Sequence, residues 1–311
     1  MPLSHSRAVV ALLGAAALFS TGGAAIKAVD FDGWEIASLR AGIAAITLIL
    51  LSGEARRGWG ARTLLVGAAY AITCIMFVLA TRLTTSANAI FIQSASPLFV
   101  LLLSPLLLGE RARSSDLAFM LPIASGLALV FLGHEERIAT APDPARGNVF
   151  AAVSGVGFAF AVIGFRWLGR DAAGSAAPIA AVVAGNVMAF LVALPAALPV
   201  GRHAPGTWIL LVYLGTVQIG LAYWLVVKAL ARLSALEASL ILLLEPVLNP
   251  VWSWMAHGET PGGFAILGGT LVLGGTLGRA WWSERRAGAE RRAIQVRENA
   301  SADLTETLSP H

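Results

Sequence analysis

The stretch from Ala80 to Glu110, ATRLTTSANAIFIQSASPLFVLLLSPLLLGE, returns 149 residues later, from Ala229 to Glu259, as ALARLSALEASLILLLEPVLNPVWSWMAHGE. Both copies carry a proline at the same place, Pro97 and Pro246, and both close on Gly-Glu. A repeat at about half the chain length, made of almost uncharged residues, is typical of membrane proteins with duplicated halves. The repeat therefore predicts the fold before any single helix is assigned.

The composition agrees with a lipid environment. Hydrophobic residues make up 57% of the 311 residues, charged residues make up 13%, and the mean hydropathy is +0.75. A soluble domain needs a more polar surface, so most of this surface must face lipid. The single cysteine, Cys74, excludes a disulfide framework and a cysteine metal site. The net charge of +4 comes from Lys and Arg residues between apolar runs, a pattern of membrane topology rather than of nucleic-acid binding.

Membrane-spanning helices need about 17 to 25 apolar residues. Two spans carry isolated charges, Ile36 to Leu51 with Arg40, and Leu233 to Ala256 with Glu237 and Glu245. The sequence thus predicts an all-α integral membrane protein with ten transmembrane helices as two inverted five-helix repeats. The eight uncharged spans are Ala8 to Ile26, Thr63 to Thr81, Leu83 to Gly109, Leu117 to Gly133, Gly147 to Phe165, Ala172 to Gly201, Ala204 to Val227 and Thr260 to Gly278.

The predicted organisation has four parts. Residues 1–134 form the first repeat, 135–146 a linker, 147–283 the second repeat, and 284–311 a disordered cytoplasmic tail of polar and charged residues. The first apolar run follows Arg7 and ends in small residues, so a cleaved signal peptide is an alternative. Cleavage would break the five-plus-five symmetry, which favours a retained helix.

Positive charge predicts the orientation, because loops rich in Lys and Arg stay in the cytoplasm. With the N-terminus inside, sixteen Lys and Arg residues fall on the inner side and five on the outer side. Both termini are therefore predicted to be cytoplasmic. Since five is an odd number, the second repeat is inverted relative to the first, and the two repeated helices run in opposite directions.

The two repeated prolines are predicted hinges. Pro97 lies roughly 21 Å along its span and Pro246 about 20 Å along its own, so both fall near the midplane of the bilayer. A proline removes a backbone donor and disturbs the carbonyl one turn earlier. Matched helix breaks in inverted halves indicate a central substrate site. The alternative is that both prolines are packing kinks.

Glu245 is the main candidate for coupling or substrate contact. A carboxylate at this depth must be paired, hydrated or protonated, and it can carry a proton. Asn249 lies four residues later on the same helix face and could hydrogen-bond it. The alternative is that Glu245 pairs with an Arg or caps backbone. For Arg40 and Glu237, which lie nearer helix ends, we expect a charge that snorkels or pairs, although an intramembrane Arg can hold an anionic group.

Other polar and aromatic residues at mid-span are candidates to line a cavity, while packing between helices is the alternative for each. No nucleotide-binding loop occurs, and every histidine falls in a predicted loop or terminus, so neither an enzyme nor a metal or other cofactor is expected. The remaining predicted substrate-binding residues are Thr21, Tyr70, Thr73, Gln93, Ser94, Ser154, Phe158, Gln218 and Tyr223.

The motifs SPLFVLLLSPLLLGE (Ser96 to Glu110) and EPVLNPVWSWMAHGE (Glu245 to Glu259), within ten helices, resemble the EamA-type members of the drug/metabolite transporter superfamily. The resemblance covers residues 7 to 282. It implies an inner-membrane carrier that exports amino acids or related metabolites by alternating access, with protons as a candidate coupling ion, as a monomer or homodimer. An importer or uncoupled facilitator of the same fold, and a scaffold without transport, are the alternatives. The absence of Trp from LFSTGG (Leu18 to Gly23) leaves the subfamily open.

Overall fold

The computed structural model describes residues 4–108, 114–133, 137–170, 176–230, 232–233, 235–282 and 285–286. Within these ranges the chain is helical, with connecting loops and one isolated pairing of Ile138 with Ala141. A 3-10 turn follows α3, and a π-helical stretch joins α10 to α11. The helices are α1 (His5–Ser20), α2 (Gly22–Ala28), α3 (Gly33–Leu51), α4 (Ala61–Leu83), α5 (Ser86–Gln93), α6 (Ser96–Leu108), α7 (Ser114–Leu132), α8 (Pro144–Arg170), α9 (Ala176–Ala197), α10 (Pro205–Tyr213), α11 (Ala222–Leu230), α12 (Ala235–Leu242), α13 (Leu244–His257) and α14 (Gly263–Trp282).

The prediction of an all-helical, multi-pass membrane fold is confirmed. In the part of the chain that the structure describes, eight helical spans are long and apolar enough to cross a membrane. The other two predicted spans correspond to α7, whose apolar portion is shorter, and to the pair α12 and α13, which is interrupted and carries Glu237 and Glu245. The exact number of ten and the inversion of the whole repeat stay predictions.

Local sequence signals set several helix ends. Asp32 caps α3 by accepting from the backbone N–H of Glu35, and the Glu35 carboxylate accepts from the Asp32 N–H, which makes a reciprocal capping box. Thr85 caps α5 through the N–H of Asn88. Gly258 ends α13 with a φ of 68°, a left-handed conformation that glycine adopts without steric cost.

Three spans are interrupted rather than continuous. The first breaks at Thr21, the fourth at residues 94–95, and the ninth at Leu243. Pro97 is the second residue of α6 and Pro246 the third residue of α13, so both occupy a first turn, where a missing N–H costs nothing. The breaks in the fourth and ninth spans thus lie just before the two prolines at which the sequence indicated helix breaks, and the role of these prolines as hinges stays a prediction. The break at Thr21 has no proline and was not predicted.

The helices pack closely across the two predicted halves. α4 lies between α8 and α9, α3 packs on α9, and α1 packs on α11 and α13. The glycines of α14 allow close approach to α7, because a Cβ at Gly268 would lie 2.5 Å from the carbonyl oxygen of Gly126. Much of the apolar core lies at the contact of α3, α4 and α9, with Ile36, Ile75 and Ala189 buried together.

Two contacts fix the directions of the repeated helices. α12 begins beside the start of α1, with His5 Nε2 3.3 Å from Glu237 Oε1. α13 ends where Glu259 meets Lys27 at the end of α2, and the backbone N–H of Ser86 at the start of α5 also donates to Glu259. α13 therefore ends where α5 begins, which agrees with the expected inversion, although the inversion itself stays a prediction.

Some predicted segments fall outside the described residues. These include Glu110 and, apart from Arg285 and Arg286, the tail at 284–311. The predicted linker is described from residue 137 onward, and α8 begins at Pro144, three residues before the expected start of the second repeat.

Candidate functional site

A cluster of buried polar side chains packs against α2, the second part of the interrupted first span. Asn249 on α13 and Ser86 on α5 are each 1% exposed. Among the described residues, neither side-chain atom of the Asn249 amide has a hydrogen-bond partner, and the Ser86 hydroxyl also lacks one. A Cβ at Gly23 would lie 2.3 Å from Asn249 Oδ1 and 2.9 Å from Ser86 Oγ, so both groups face the same point of α2. Buried polar atoms without partners are costly and indicate a ligand site.

Side chains from the second half of the chain form hydrogen bonds with residues at the break between α1 and α2. The Thr21 hydroxyl lies 2.8 Å from the Tyr213 hydroxyl and donates to the Leu18 carbonyl at 2.7 Å. Gln218 Nε2 donates to the Phe19 carbonyl at 3.2 Å. Trp252 Nε1 donates to Ser20 Oγ at 2.9 Å. An interrupted helix in a membrane needs such partners because lipid offers none.

Three other predicted residues form a hydrogen-bond chain at α4, α5 and α8. Gln93 Nε2 donates to Ser154 Oγ at 2.8 Å, and Ser154 Oγ donates to the carbonyl of Thr73 at 2.9 Å. The Thr73 hydroxyl turns back to the Ala69 carbonyl at 3.0 Å. Phe158 is half-buried on α8, one turn after Ser154. This group links both halves but is satisfied internally.

Aromatic rings connect the two groups. The Tyr223 ring contacts Phe19 with centroids 5.0 Å apart and Tyr70 with centroids 5.6 Å apart, both in edge-to-face geometry. Tyr70 is 1% exposed and lies one turn before Thr73 on α4. Tyr70 and Tyr223 therefore contact each other and lie beside the break that ends α1, while their role in lining a cavity stays a prediction.

Glu245 does not bond to Asn249. Both residues lie in the described first half of α13, and the Asn249 amide has no partner, so the hydrogen bond that their spacing allowed is not formed. Glu245 is half-buried and lies within electrostatic range of Arg40 on α3. Ser94 is half-buried and ends α5, with its N–H donating to the Ile90 carbonyl at 2.8 Å.

Of the possibilities that the sequence left open for Arg40, the structure disfavours snorkelling. Snorkelling would leave its guanidinium at an interface, but the residue is only 6% exposed, and its Nη1 atom is buried without an acceptor. The small residues Ala37 and Ala41 beside it were the available signal, because they let neighbouring helices close over α3. Arg40 thus belongs to the interior of the bundle.

A buried polar network closes one end of the bundle. Lys27 Nζ lies 3.1 Å from Glu259 Oε2, and both side chains are 2% exposed. Lys27 also donates to the carbonyls of Thr84, at 2.8 Å, and Thr140. The Thr84 hydroxyl donates to Asn148 Oδ1 at 2.8 Å. We call this set the Lys27 network; it joins α2, the end of α4, α8 and the end of α13. Of its members, the sequence analysis singled out only Glu259, as the last residue of the repeat.

The arrangement can do three things chemically. The Asn249 and Ser86 groups can donate to and accept from a polar ligand, the rings of Tyr70 and Tyr223 can contact its apolar part, and the Lys27 network can hold α2, α8 and the end of α13 together. The fold places the predicted residues Thr21, Gln218 and Tyr223 in one group. It places Thr73, Gln93 and Ser154 in another. Pro97 and Pro246 follow the helix breaks. Neither proline has a backbone N–H, so neither can donate a hydrogen bond from its nitrogen to these groups.

Comparisons with known proteins agree with this architecture. A comparison with curated proteins finds no match. A solved structure described simply as the crystal structure of a protein has 22% sequence identity and a TM-score of 0.59, and the alignment covers 91% of this chain and 99% of that one, a likeness of fold alone. The model of the EamA-like transporter family matches residues 6–132 and 145–279. The chain therefore belongs to the EamA-type family of the drug/metabolite transporter superfamily, whose members are membrane transporters of small molecules rather than enzymes.

Proposed function

We propose that this protein is a secondary transporter that exports small metabolites, with amino acids as the leading class, by alternating access across the inner membrane. Both termini lie in the cytoplasm in this proposal, so the Lys27 network closes the outer end. The halves 1–134 and 147–283 move relative to each other around a central site. The alternatives are an importer or uncoupled facilitator of the same fold and a scaffold without transport.

The observation that carries the proposal is the pair of buried polar side chains without hydrogen-bond partners, Asn249 and Ser86, packed against Gly23. It lies where the interrupted first span meets α5 and α13, which are parts of two other interrupted spans. Irregular backbone at membrane depth is tolerated where it lines a cavity or is buried in protein. Polar atoms left without partners at that point support a substrate site rather than a scaffold.

In this proposal the predicted residues have separate roles. Asn249, Thr21 and Gln218 contact the polar part of the substrate, and Tyr70, Tyr223 and Phe158 contact its apolar part. Thr73, Gln93, Ser94 and Ser154 form the wall of the site at α4, α5 and α8. Pro97 and Pro246 are the hinges, and Glu245, a carboxylate within electrostatic range of Arg40, couples transport to protons.

The test is uptake of a labelled amino-acid mixture into proteoliposomes that contain the purified full chain, with and without a pH gradient. Glu245→Gln is compared with Glu237→Gln, because Glu237 is a carboxylate on the same broken span but is exposed and paired with His5. Accumulation that requires the gradient and is lost only in Glu245→Gln supports proton-coupled transport. Equilibration without the gradient supports a facilitator, and absence of flux for every solute class contradicts the transporter proposal.

A further inference from the structure

Arg40 carries a buried positive charge, and no acidic side chain among the described residues forms an ion pair with it. It is the eighth residue of α3, about 10 Å from the start of that helix, and is 6% exposed. Its Nη1 atom is buried and has no acceptor among the described residues. Because a guanidinium stays charged at any physiological pH, such a position is expensive unless an anion is available to it.

A small cavity adjoins Arg40. Its volume in this conformation is about 10 Å³, close to what one water molecule occupies. A carboxylate group is larger than this, so α3 and α4 must separate slightly to admit one. The cavity is lined by Ala37, Arg40, Ala41, Cys74, Val78 and Asn186.

Among the described neighbours of Arg40, no carboxylate forms a direct ion pair with it. Tyr70, Cys74, Tyr223 and Glu245 lie within electrostatic range of it. Glu245 is the single carboxylate of that described set, and it forms no ion pair with Arg40 within contact distance. The guanidinium therefore has a balancing charge beyond contact distance but no partner that binds it with two hydrogen bonds. A carboxylate can bind the planar guanidinium in this bidentate way.

We propose that Arg40 binds the carboxylate group of the transported substrate. The substrate class is then small organic acids, amino acids included, with the apolar part directed to Tyr70 and Tyr223. Glu245 balances the charge of Arg40 while the site is empty. This inference rests on the proposed transport function for its physiological meaning, but ligand binding at Arg40 can be measured without transport.

The test measures ligand binding by purified full-length protein in detergent. The probes are L-leucine, L-phenylalanine and lactate, each beside its amide, in which the carboxylate is replaced by a neutral group. In the wild type we expect at least one acid to bind about ten-fold or more tightly than its amide. Arg40→Gln should reduce that ratio to within about two-fold, and Arg40→Lys should retain part of it, because the charge remains without the fork.

A matched control and a second measurement keep the test independent of folding. Arg56→Gln removes an exposed Arg whose Nε donates to the Ile49 carbonyl, and it should leave the ratio unchanged. Cys74 is the sole cysteine and lines the same cavity, so an acid that binds should slow N-ethylmaleimide labelling of the wild type while its amide should not. Cys74→Ser gives the background of that assay.

Two results would overturn the inference. One is that no acid binds more tightly than its amide in the wild type, and the other is that Arg40→Gln weakens acid and amide equally. Flux of uncharged solutes without any selectivity for acids would leave the transporter proposal standing and remove the role of Arg40. Binding selective for acids without any flux would support the role of Arg40 and contradict the transporter proposal.

Discussion

Lys27 and Glu259 form an ion pair of 3.1 Å in which both side chains are 98% buried, and this pair joins the end of the first span to the end of the second repeated segment. The backbone N–H of Ser86 donates to the same carboxylate, so α5 is held to this point as well. The residue that ends the second copy of the repeat thus fastens both copies together at one end of the bundle.

Removing the charge of Glu259 is expected to loosen that end. Glu259→Gln removes the carboxylate charge that Lys27 Nζ meets at 3.1 Å, and breaking a buried pair from one side costs about 3–5 kcal/mol. We expect a lower thermal unfolding midpoint in detergent, with part of the loss recovered in the double variant Lys27→Met, Glu259→Gln. Glu54→Gln, which removes an exposed carboxylate, should not change the midpoint.

The same substitution should expose the start of α5. In a Cys74→Ser background, Ser86→Cys places a thiol where the side chain is 1% exposed. Adding Glu259→Gln should raise its labelling rate with a membrane-impermeant thiol reagent several-fold. An unchanged rate would show that the Lys27 network does not govern access from that end.

Gly23→Ala should damage the site, because the new Cβ would lie 2.3 Å from Asn249 Oδ1. We expect a destabilisation of about 1–3 kcal/mol and loss of transport, since Asn249 must move. Gly14→Ala is the matched control on α1, where the nearest atom to the new Cβ is Leu225 Cδ1 at 3.9 Å. That variant should gain up to about 1 kcal/mol from helix propensity. Equal behaviour of the two variants would contradict the tight contact at Gly23.

Ser154 is expected to act as the link between α5 and α4. Ser154→Ala removes an acceptor from Gln93 and a donor to the Thr73 carbonyl, which should cost about 1–3 kcal/mol in a fully buried place. Ser154→Thr keeps the hydroxyl and should recover part of the stability. A double-mutant cycle with Gln93→Ala measures the coupling, and a coupling energy of zero would show that the hydrogen bond between them contributes nothing.

The prolines are expected to control the rate of transport more than the affinity. Pro97→Ala and Pro246→Ala restore a backbone N–H in the first turn after each break, which lets α5 and α12 extend across it. We expect turnover in proteoliposomes to fall several-fold with binding unchanged. Pro105→Ala, within α6 and away from the break, is the control. A loss of binding without a change in turnover would assign the prolines to packing alone.

The sequence predicted the helical membrane fold because apolar runs of bilayer length are a local property that needs no knowledge of contacts. It also placed the interruptions of the fourth and ninth spans near Pro97 and Pro246, since a proline acts on its own helix. The break at Thr21 was missed, because its free backbone groups depend on partners such as Gln218, 199 residues away on the chain.

Long apolar runs, the composition and the repeated stretch in the sequence thus determined the class of protein and most of the helices. The tertiary structure alone decided that Arg40 is enclosed, that Asn249 faces Ser86 and Gly23 instead of Glu245, and that Lys27 meets Glu259. Each of these depends on which helix faces meet, and a membrane helix that is apolar on most sides does not show in its sequence which face it will bury.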